Sequence, residues 1–231
     1  MLKVFAINGS PNQAKGNTAM ILEPFLEGLI ENNAVVDLFY ASRLKVQPCI
    51  CGNLFCWRQT PGECIFQDAM QTVYPVLREA DILALATPIY IPLPGDLQNF
   101  LNRLCALLDP VLTFREGRTR ARFRADVHIK TVVLLAAGGW WEKENFDTLI
   151  RIVEELAEDA SVNFAGAMIR PHAHLMRKNG QITDLGKVVL QAIRGAVGEL
   201  IREGRIHEET LATICQPLIP FEEAIERYFN R

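Results

Sequence analysis

The sequence begins with an apolar strand that runs directly into a loop of small, polar residues and then into a helix. Residues 5–18 read FAINGSPNQAKGNT. Glycines let such a loop approach a ligand closely, hydroxyl and amide side chains donate hydrogen bonds, and the first N–H groups of the helix point at a bound anion. We therefore predict a phosphate site, and its candidate residues are Ser10, Asn12, Gly16, Asn17 and Thr18.

This loop differs from the glycine-rich phosphate motifs of fixed spacing. The pattern GxxxxGK[ST] requires a lysine directly after its second glycine, whereas Asn17 follows Gly16 here, and GxGxxG does not occur at this position. Lys15 is the only charged residue of the loop, so neutral dipoles would provide most of the binding. The alternative interpretation is an ordinary polar turn in which Asn17 or Thr18 caps the helix.

Short apolar runs alternate with longer segments of helical period along the rest of the chain, which is typical of a parallel sheet covered by helices on both faces. We predict an α/β fold with a doubly wound, five-stranded parallel sheet. The predicted strands lie near Lys3–Ile7, Val35–Phe39, Ile82–Ala86, Thr131–Ala136 and Val162–Met168. The predicted helices cover roughly Asn17–Glu31, Ala69–Glu79, Gly95–Leu108, Lys143–Ala157 and Asp184–Glu203. Pro24 and Pro75 should kink or shorten two of them.

The length and charge of the chain limit its class. Its 231 residues suit one domain, residues 1–205, followed by a helical tail, residues 206–231. The net charge of −3 gives no basic field for nucleic acid. No apolar run reaches the length of a membrane span, and the first strand cannot also be a cleaved signal. We expect a cytoplasmic protein without a nucleic-acid or membrane partner.

Two further loops follow predicted strands of this sheet. In a doubly wound sheet, ligands bind beyond the carboxyl ends of the strands, where the strand order reverses. The second loop contains Pro88, Ile89, Tyr90 and Ile91, and the third contains Gly138, Gly139 and Trp140. Stiff backbone amides and exposed aromatic rings suit a flat ring system. The alternative for Tyr90 and Trp140 is packing under a loop.

Three sequence blocks occur in a characteristic order in the first half of the chain. Asn8-Gly9-Ser10-Pro11 with Gly16-Asn17-Thr18 forms the first, CWRQTPGEC over residues 56–64 the second, and EADILALATPIY over residues 79–90, continuing to Leu104, the third. Together they resemble the flavodoxin-like NADPH-dependent FMN reductases and iron-sulfur flavoproteins. The resemblance implies a flavodoxin-like fold, FMN held by the first loop, and an isoalloxazine ring that contacts the second and third loops.

Four of the six cysteines lie close together, at Cys49, Cys51, Cys56 and Cys64. A [4Fe-4S] cluster needs four converging thiolates, so these would be its ligands if one is present. Their CxC spacing departs from the CxxCxxC pattern of the iron-sulfur flavoproteins, and this disfavours a cluster. The alternatives are a structural zinc, a redox-active pair or reduced thiols in a dimer-forming loop. We interpret Cys105 and Cys215 as small buried side chains in distant elements.

Two other polar patterns remain open. Arg118, Arg120, Arg122 and Arg124 alternate, so an extended segment would place all four on one side. They would meet the 2′-phosphate of NADPH or an acidic partner, or else lie in a solvated surface loop. His172 and His174 follow the fifth predicted strand, where they would bind a metal, donate protons or serve only in packing.

These observations together predict an FMN-dependent oxidoreductase that passes reducing equivalents from NAD(P)H to a flavin, quinone or similar small acceptor. The flavin supplies the chemistry, so no catalytic side chain is predicted. One alternative is a non-catalytic flavodoxin-like electron carrier, with or without an iron-sulfur cluster, between protein partners. Another is a nucleotide-binding scaffold without redox function. Apolar side chains in the rim loops lead us to expect a homodimer or homotetramer.

Overall fold

Five parallel strands form one sheet in the order β2-β1-β3-β6-β7. The structure, a computed structural model, describes residues 1–50 and 54–229. The strands are β1 (Lys3–Asn8), β2 (Val35–Tyr40), β3 (Ile82–Pro88), β6 (Thr131–Ala137) and β7 (Asn163–Arg170). Two short hairpins lie outside this sheet, β4 (Thr113–Arg115) with β5 (Arg118–Arg120), and β8 (Arg177–Lys178) with β9 (Gln181–Ile182). The predicted doubly wound, flavodoxin-like sheet is confirmed.

The inner strands of the sheet are buried on both faces, and each face packs against its own apolar core. Along β1, Phe5 and Ile7 pack into one core, and Val4 and Ala6 pack into the other. Such two-sided burial explains why the strands read as continuous apolar runs. The sheet is therefore the middle layer of three.

Nine α-helices are present in the described part of the chain. They are α1 (Asn17–Glu31), α2 (Ala41–Leu44), α3 (Phe55–Arg58), α4 (Met70–Glu79), α5 (Gly95–Arg103), α6 (Asp147–Ala160), α7 (Asp184–Glu203), α8 (Glu208–Cys215) and α9 (Phe221–Phe229). Helices α1 and α7 pack against each other on one face of the sheet. No helix among the described residues is long and apolar enough to cross a membrane.

Two helix predictions differ from the structure at their ends. The segment predicted as one helix over Gly95–Leu108 is α5 followed by a 3₁₀ turn at Leu104–Leu107. The segment predicted over Lys143–Ala157 starts with a 3₁₀ turn at Lys143–Phe146, and α6 then continues to Ala160. Local tightening of this kind is common at helix ends and cannot be read from apolar periodicity.

Neither internal proline shortens its helix. Helix α1 continues through Pro24 to Glu31, and α4 continues through Pro75 to Glu79. Pro24 is buried in the core shared with α7, whereas Pro75 is exposed. The predicted shortening does not occur, because packing of the apolar face compensates for the lost backbone hydrogen bond, and the alternative outcome, a kink, stays a prediction.

The segment after α7 packs back onto the sheet through Arg170, at the end of β7. This side chain is fully buried and donates hydrogen bonds to the carbonyl oxygens of Ile214 (2.6 Å) and Gln216 (2.8 Å). Burial lowers the pKa of Arg170 to about 10. The carbonyls at the end of α8 thus stabilise a buried cation. The division into residues 1–205 and a tail, residues 206–231, stays a prediction.

Candidate cofactor site

Three loops leave the sheet side by side at its carboxyl edge. Strand β1 lies between β2 and β3, so successive strands are added on one side of β1 first and then on its other side, and the strand order reverses between β1 and β3. Backbone hydrogen bonds connect the loop bases: Gly9 donates to Ala86 (2.7 Å), and Ile89 donates to Ala137 (2.9 Å). The sheet therefore brings the predicted phosphate loop next to the second loop, and the second next to the third.

Internal hydrogen bonds shape the predicted phosphate loop. The Asn8 carboxamide oxygen accepts from the Ser10 N–H (2.8 Å), and its nitrogen donates to the Gln13 carbonyl (3.2 Å). The Ser10 hydroxyl accepts from the Asn12 N–H at 3.3 Å. Asn8 and Ser10 are buried, whereas Asn12 is exposed. Asn8 thus organises the loop, a role that the sequence analysis did not assign to it.

Helix α1 begins at Asn17, and its first two amides make no hydrogen bond within the helix. Gly16 is the N-cap residue, and no side chain caps the helix. The alternative in which Asn17 or Thr18 caps the helix is therefore wrong. Across residues 1–50 and 54–229, no acceptor is found for the N–H of Asn17 or Thr18. Unsatisfied N–H groups at the start of a helix of 15 residues suit an anion.

Gly16 has no room for a side chain. A Cβ atom there would lie 2.9 Å from the Ser10 hydroxyl oxygen and 3.2 Å from Asn12 Cβ. Thr18 is buried beside this turn, and Asn17 is exposed. The structure therefore brings all five predicted phosphate residues into one turn.

The second and third loops line an open cavity of about 550 Å³. The residues lining it are Ile89, Tyr90, Ile91, Gly138, Trp140, Asn145 and Phe146. Pro88 and Gly139 do not line it, although the sequence analysis included them. Asn145 and Phe146 were missed, because they lie at the start of the helix that follows the third loop and carry no motif. A cavity of this size suits a flat ring system.

Close packing makes Gly138 necessary at this cavity. A Cβ atom at Gly138 would lie 2.6 Å from Phe146 Cζ and 3.1 Å from Ile89 Cγ2. The same test at Gly139 finds no atom within 4 Å. Only the first of the two glycines is therefore required by sterics.

Tyr90 and Trp140 stand out from the protein surface. Their exposed fractions are 54% and 71%, so packing under a loop does not account for either. The amides of Ile89 and Tyr90 donate to the carbonyls of Ala137 and Pro92, both at 2.9 Å. These two amides therefore already have acceptors in the protein itself. Ile91 keeps an amide without an acceptor in the described part of the chain.

The cysteine segment, from Cys49 to Cys64, brings together only some of the thiols that were predicted as possible cluster ligands. Cys51 lies outside the described residues, and Cys49 is exposed. The thiol of Cys56 contacts Cys105, and this hydrogen bond together with burial raises the pKa of Cys56. Trp57 Nε1 also donates a hydrogen bond to the Cys105 carbonyl at 2.8 Å. Cys105 therefore lies next to the cysteine segment and not in a distant element.

The remaining thiol of the segment, Cys64, contacts the Tyr74 hydroxyl. Two proposed cluster ligands, Cys56 and Cys64, thus already have protein partners. No group of three or more metal-binding side chains occurs within residues 1–50 and 54–229. The described thiols do not form a cradle for a [4Fe-4S] cluster.

The four alternating arginines separate into ion pairs with the protein itself. Arg118 and Arg120 bind Glu155 on α6, and Arg120 also binds Glu158 at 2.5 Å. Arg122 pairs with Asp109 (3.4 Å) and Arg124 with Asp126 (3.3 Å). The four guanidinium groups therefore do not form one cationic surface for a phosphate.

His172 is buried next to the third loop. It has a left-handed backbone (φ 38°), and its Nε2 accepts a hydrogen bond from the Leu218 N–H at 3.0 Å. Burial, together with the nearby Arg170 cation, lowers the pKa of His172 to about 4. His172 is therefore a neutral packing residue that holds the C-terminal segment, whereas His174 is exposed.

Comparisons with known proteins agree with this geometry. A protein-family model described as "NADPH-dependent FMN reductase" matches residues 2–144. An iron-sulfur flavoprotein of Methanocaldococcus jannaschii is 34% identical over 108 residues, which are 46% of this chain and 52% of that protein. One of Methanosarcina thermophila is 30% identical over 115 residues, 49% of this chain and 54% of that protein. The chain spans about half the length of the curated relatives it matches.

Solved structures share the fold over most of the chain. An NAD(P)H:quinone oxidoreductase from Methanothermobacter marburgensis superposes with a TM-score of 0.60 at 18% identity, covering 89% of this chain and 99% of that one. An azoreductase from Bacillus anthracis gives a TM-score of 0.59 at 14% identity, covering 87% and 98%. These similarities show a common fold.

Proposed function

The chain belongs to the NADPH-dependent FMN reductase family. From this premise we propose that it is an FMN-dependent oxidoreductase that passes reducing equivalents from NAD(P)H to a flavin, quinone or similar small acceptor. One observation is the main support. The unsatisfied amides at the start of α1 and the cavity between the second and third loops lie at the same edge of the sheet, on neighbouring strands. A phosphate and a flat ring of one molecule fit that arrangement.

In this proposal the FMN phosphate binds the first loop. The amides of Asn17 and Thr18 and the hydroxyls of Ser10 and Thr18 donate to it, with Asn12 at the rim and Gly16 keeping the turn compact. Helix N-termini and hydroxyls bind a terminal phosphate well. Because α1 offers a single anion site of this kind, we propose FMN rather than a dinucleotide flavin.

The ring would occupy the cavity beside Ile89, Tyr90, Gly138 and Trp140. When bound, FMN supplies hydride and electron transfer. Gly138 permits close approach, and the exposed rings of Tyr90 and Trp140 shield the site from water. No side chain has to move a proton for hydride to arrive, which agrees with the lack of a buried acid–base pair among the residues lining this cavity.

We also propose the assembly and the compartment. A homodimer or homotetramer would cover Tyr90, Ile91 and Trp140, whose large exposed fractions at one rim are unusual for a single chain. The thiols of Cys49, Cys56, Cys64 and Cys215 are not in disulfides, which supports a reducing cytoplasm. The partner is a small-molecule acceptor, since a net charge of −3 favours no nucleic acid.

Purification without air followed by an absorption spectrum tests this function. We expect flavin absorption bands, together with oxidation of NADPH or NADH when a quinone or ferricyanide is added. Flavin bands without NAD(P)H oxidation would instead indicate the electron carrier. A colourless protein that binds no added FMN would overturn the proposal.

A further inference from the structure

The last described helix, α9, borders a second cavity next to the proposed ring site. This cavity measures about 460 Å³ and is lined by Gly139, Trp140, His174, Tyr228 and Phe229. Three of these five residues are aromatic. Tyr228 and Phe229 lie beyond residue 144, where the family match ends.

The two cavities share one wall. Trp140 lines both, and the consecutive residues Gly138 and Gly139 line one each. A small molecule in the second cavity would therefore contact the same indole as the flavin ring. The acceptor would therefore lie next to the proposed ring site.

Contacts near both ends fasten α9 to the third loop. Near its start, Phe221 packs edge-on against Trp141 with ring centroids 5.1 Å apart, and Trp141 Nε1 donates to the Ile219 carbonyl at 3.2 Å. Near its end, the Tyr228 hydroxyl donates to the Gly139 carbonyl at 3.0 Å. The wall formed by α9 is thus built into the fold of a single chain and does not require a partner subunit.

We propose that the cavity between Trp140 and α9 binds a flat aromatic acceptor, and that Phe229 and Tyr228 set its specificity. This inference rests on the proposed function. Aromatic walls stack on aromatic ligands, and the volume is typical of a small-molecule site. For 1,4-naphthoquinone the balance is NADPH plus quinone plus one proton giving NADP⁺ plus hydroquinone. The hydride supplies both electrons and one hydrogen, and solvent supplies the second proton.

Phe229→Ala tests the wall against a matched control, Phe114→Ala. Phe229 and Phe114 are each 77% exposed, but Phe114 lies on the β4–β5 hairpin and lines neither cavity. We expect Phe229→Ala to raise KM for 1,4-naphthoquinone about tenfold, and Phe114→Ala to leave it unchanged. Tyr228→Phe keeps the ring and removes its hydrogen bond, so a smaller increase in KM should result.

Ferricyanide, a small anion without an aromatic ring, separates this inference from the proposed function. If all proteins oxidise NADPH with ferricyanide equally and only the α9 variants lose affinity for naphthoquinone, the wall binds the acceptor. If Phe229→Ala leaves KM for naphthoquinone unchanged, or changes only the mass in solution, the inference is wrong while the proposed function stands. If wild-type protein reduces neither acceptor, the proposed function itself fails.

Discussion

Asp68 and Arg103 form a buried, two-point ion pair: Arg103 Nη1 lies 2.7 Å from Asp68 Oδ2, and Nη2 lies 3.1 Å from Oδ1. Their side chains are 6% and 1% exposed. Arg103 also donates to the Gln47 carbonyl at 3.0 Å, and Asp68 accepts from the Gln47 amide at 3.0 Å. The pair therefore joins both ends of the cysteine segment to α5.

Asp68→Asn should destabilise the protein strongly. Removing one partner leaves Arg103 as an uncompensated buried charge, and we expect a loss of about 3–5 kcal/mol in the free energy of unfolding. Urea denaturation measures it. Asp184→Asn is the control, because Asp184 and Lys187 form an exposed pair and should contribute almost nothing. Equal stability of the two variants would contradict this prediction.

The same pair predicts a loss of stability in acid. Burial opposes ionisation of Asp68, but hydrogen bonds from Arg103 and from the Gln47 and Met70 amides hold its pKa below the usual value. A lowered folded pKa gives stability that is complete above the unfolded pKa of about 3.9 and is lost as the pH falls through the folded pKa. Below pH 4, the free energy of unfolding of the wild type should therefore include a decrease that is due to protonation of Asp68. The Asp68→Asn variant should lack that part of the decrease.

His172 predicts a second pH dependence in a different window. Its pKa of about 4 is below the ordinary value of 6.5, so the unfolded chain binds more protons between these values. The contribution of His172 to the free energy of unfolding should be fully present above pH 6.5 and should decrease by about 3 kcal/mol as the pH falls towards 4. His172→Asn, which tolerates the left-handed backbone, should remove this slope, whereas the exposed control His128→Asn should retain it.

The phosphate loop predicts a loss of FMN affinity on mutation. Ser10→Ala combined with Thr18→Ala removes two hydroxyl donors to a charged group, each worth roughly 1.5–3 kcal/mol. Titration of apoprotein with FMN, followed by flavin fluorescence, gives the Kd. Thr72→Ala is the control, since this exposed hydroxyl bonds only within the start of α4 at 2.8 Å. Unchanged FMN affinity in the double variant would refute the phosphate assignment.

The third loop offers two adjacent glycines for comparison. Gly138→Ala places a methyl group against Phe146 and Ile89, and overpacking of this kind costs about 1–3 kcal/mol. Gly139→Ala meets no atom within 4 Å and should leave the melting temperature unchanged. Thermal unfolding of both variants checks the prediction. A destabilised Gly139→Ala with a stable Gly138→Ala would contradict the geometry.

The thiols predict flavin chemistry alone. Because Cys56 contacts Cys105 and Cys64 contacts Tyr74, we expect protein purified without oxygen to show flavin bands and no stoichiometric iron. An iron and acid-labile sulfide assay measures this. About four of each per chain, lost in Cys56→Ser, would instead assign the cluster to Cys49, Cys51, Cys56 and Cys64.

The sequence predicted those features that depend on local pattern. Apolar period located all five strands, and the small polar loop before Asn17 marked the start of α1. It did not predict Asn145, Phe146 or Phe229 as lining residues, because their positions follow from the packing of distant segments. The contact between Cys56 and Cys105 was missed for the same reason, since 49 positions separate them and no motif spans that distance.

Arg170 also couples the last strand of the sheet to a segment far along the chain. Its carbonyl partners, Ile214 and Gln216, lie 44 and 46 residues beyond it. Burying this cation is unfavourable without those acceptors. We therefore expect the carboxyl end of β7 and the segment after α7 to become protected from hydrogen exchange together, as one cooperative unit.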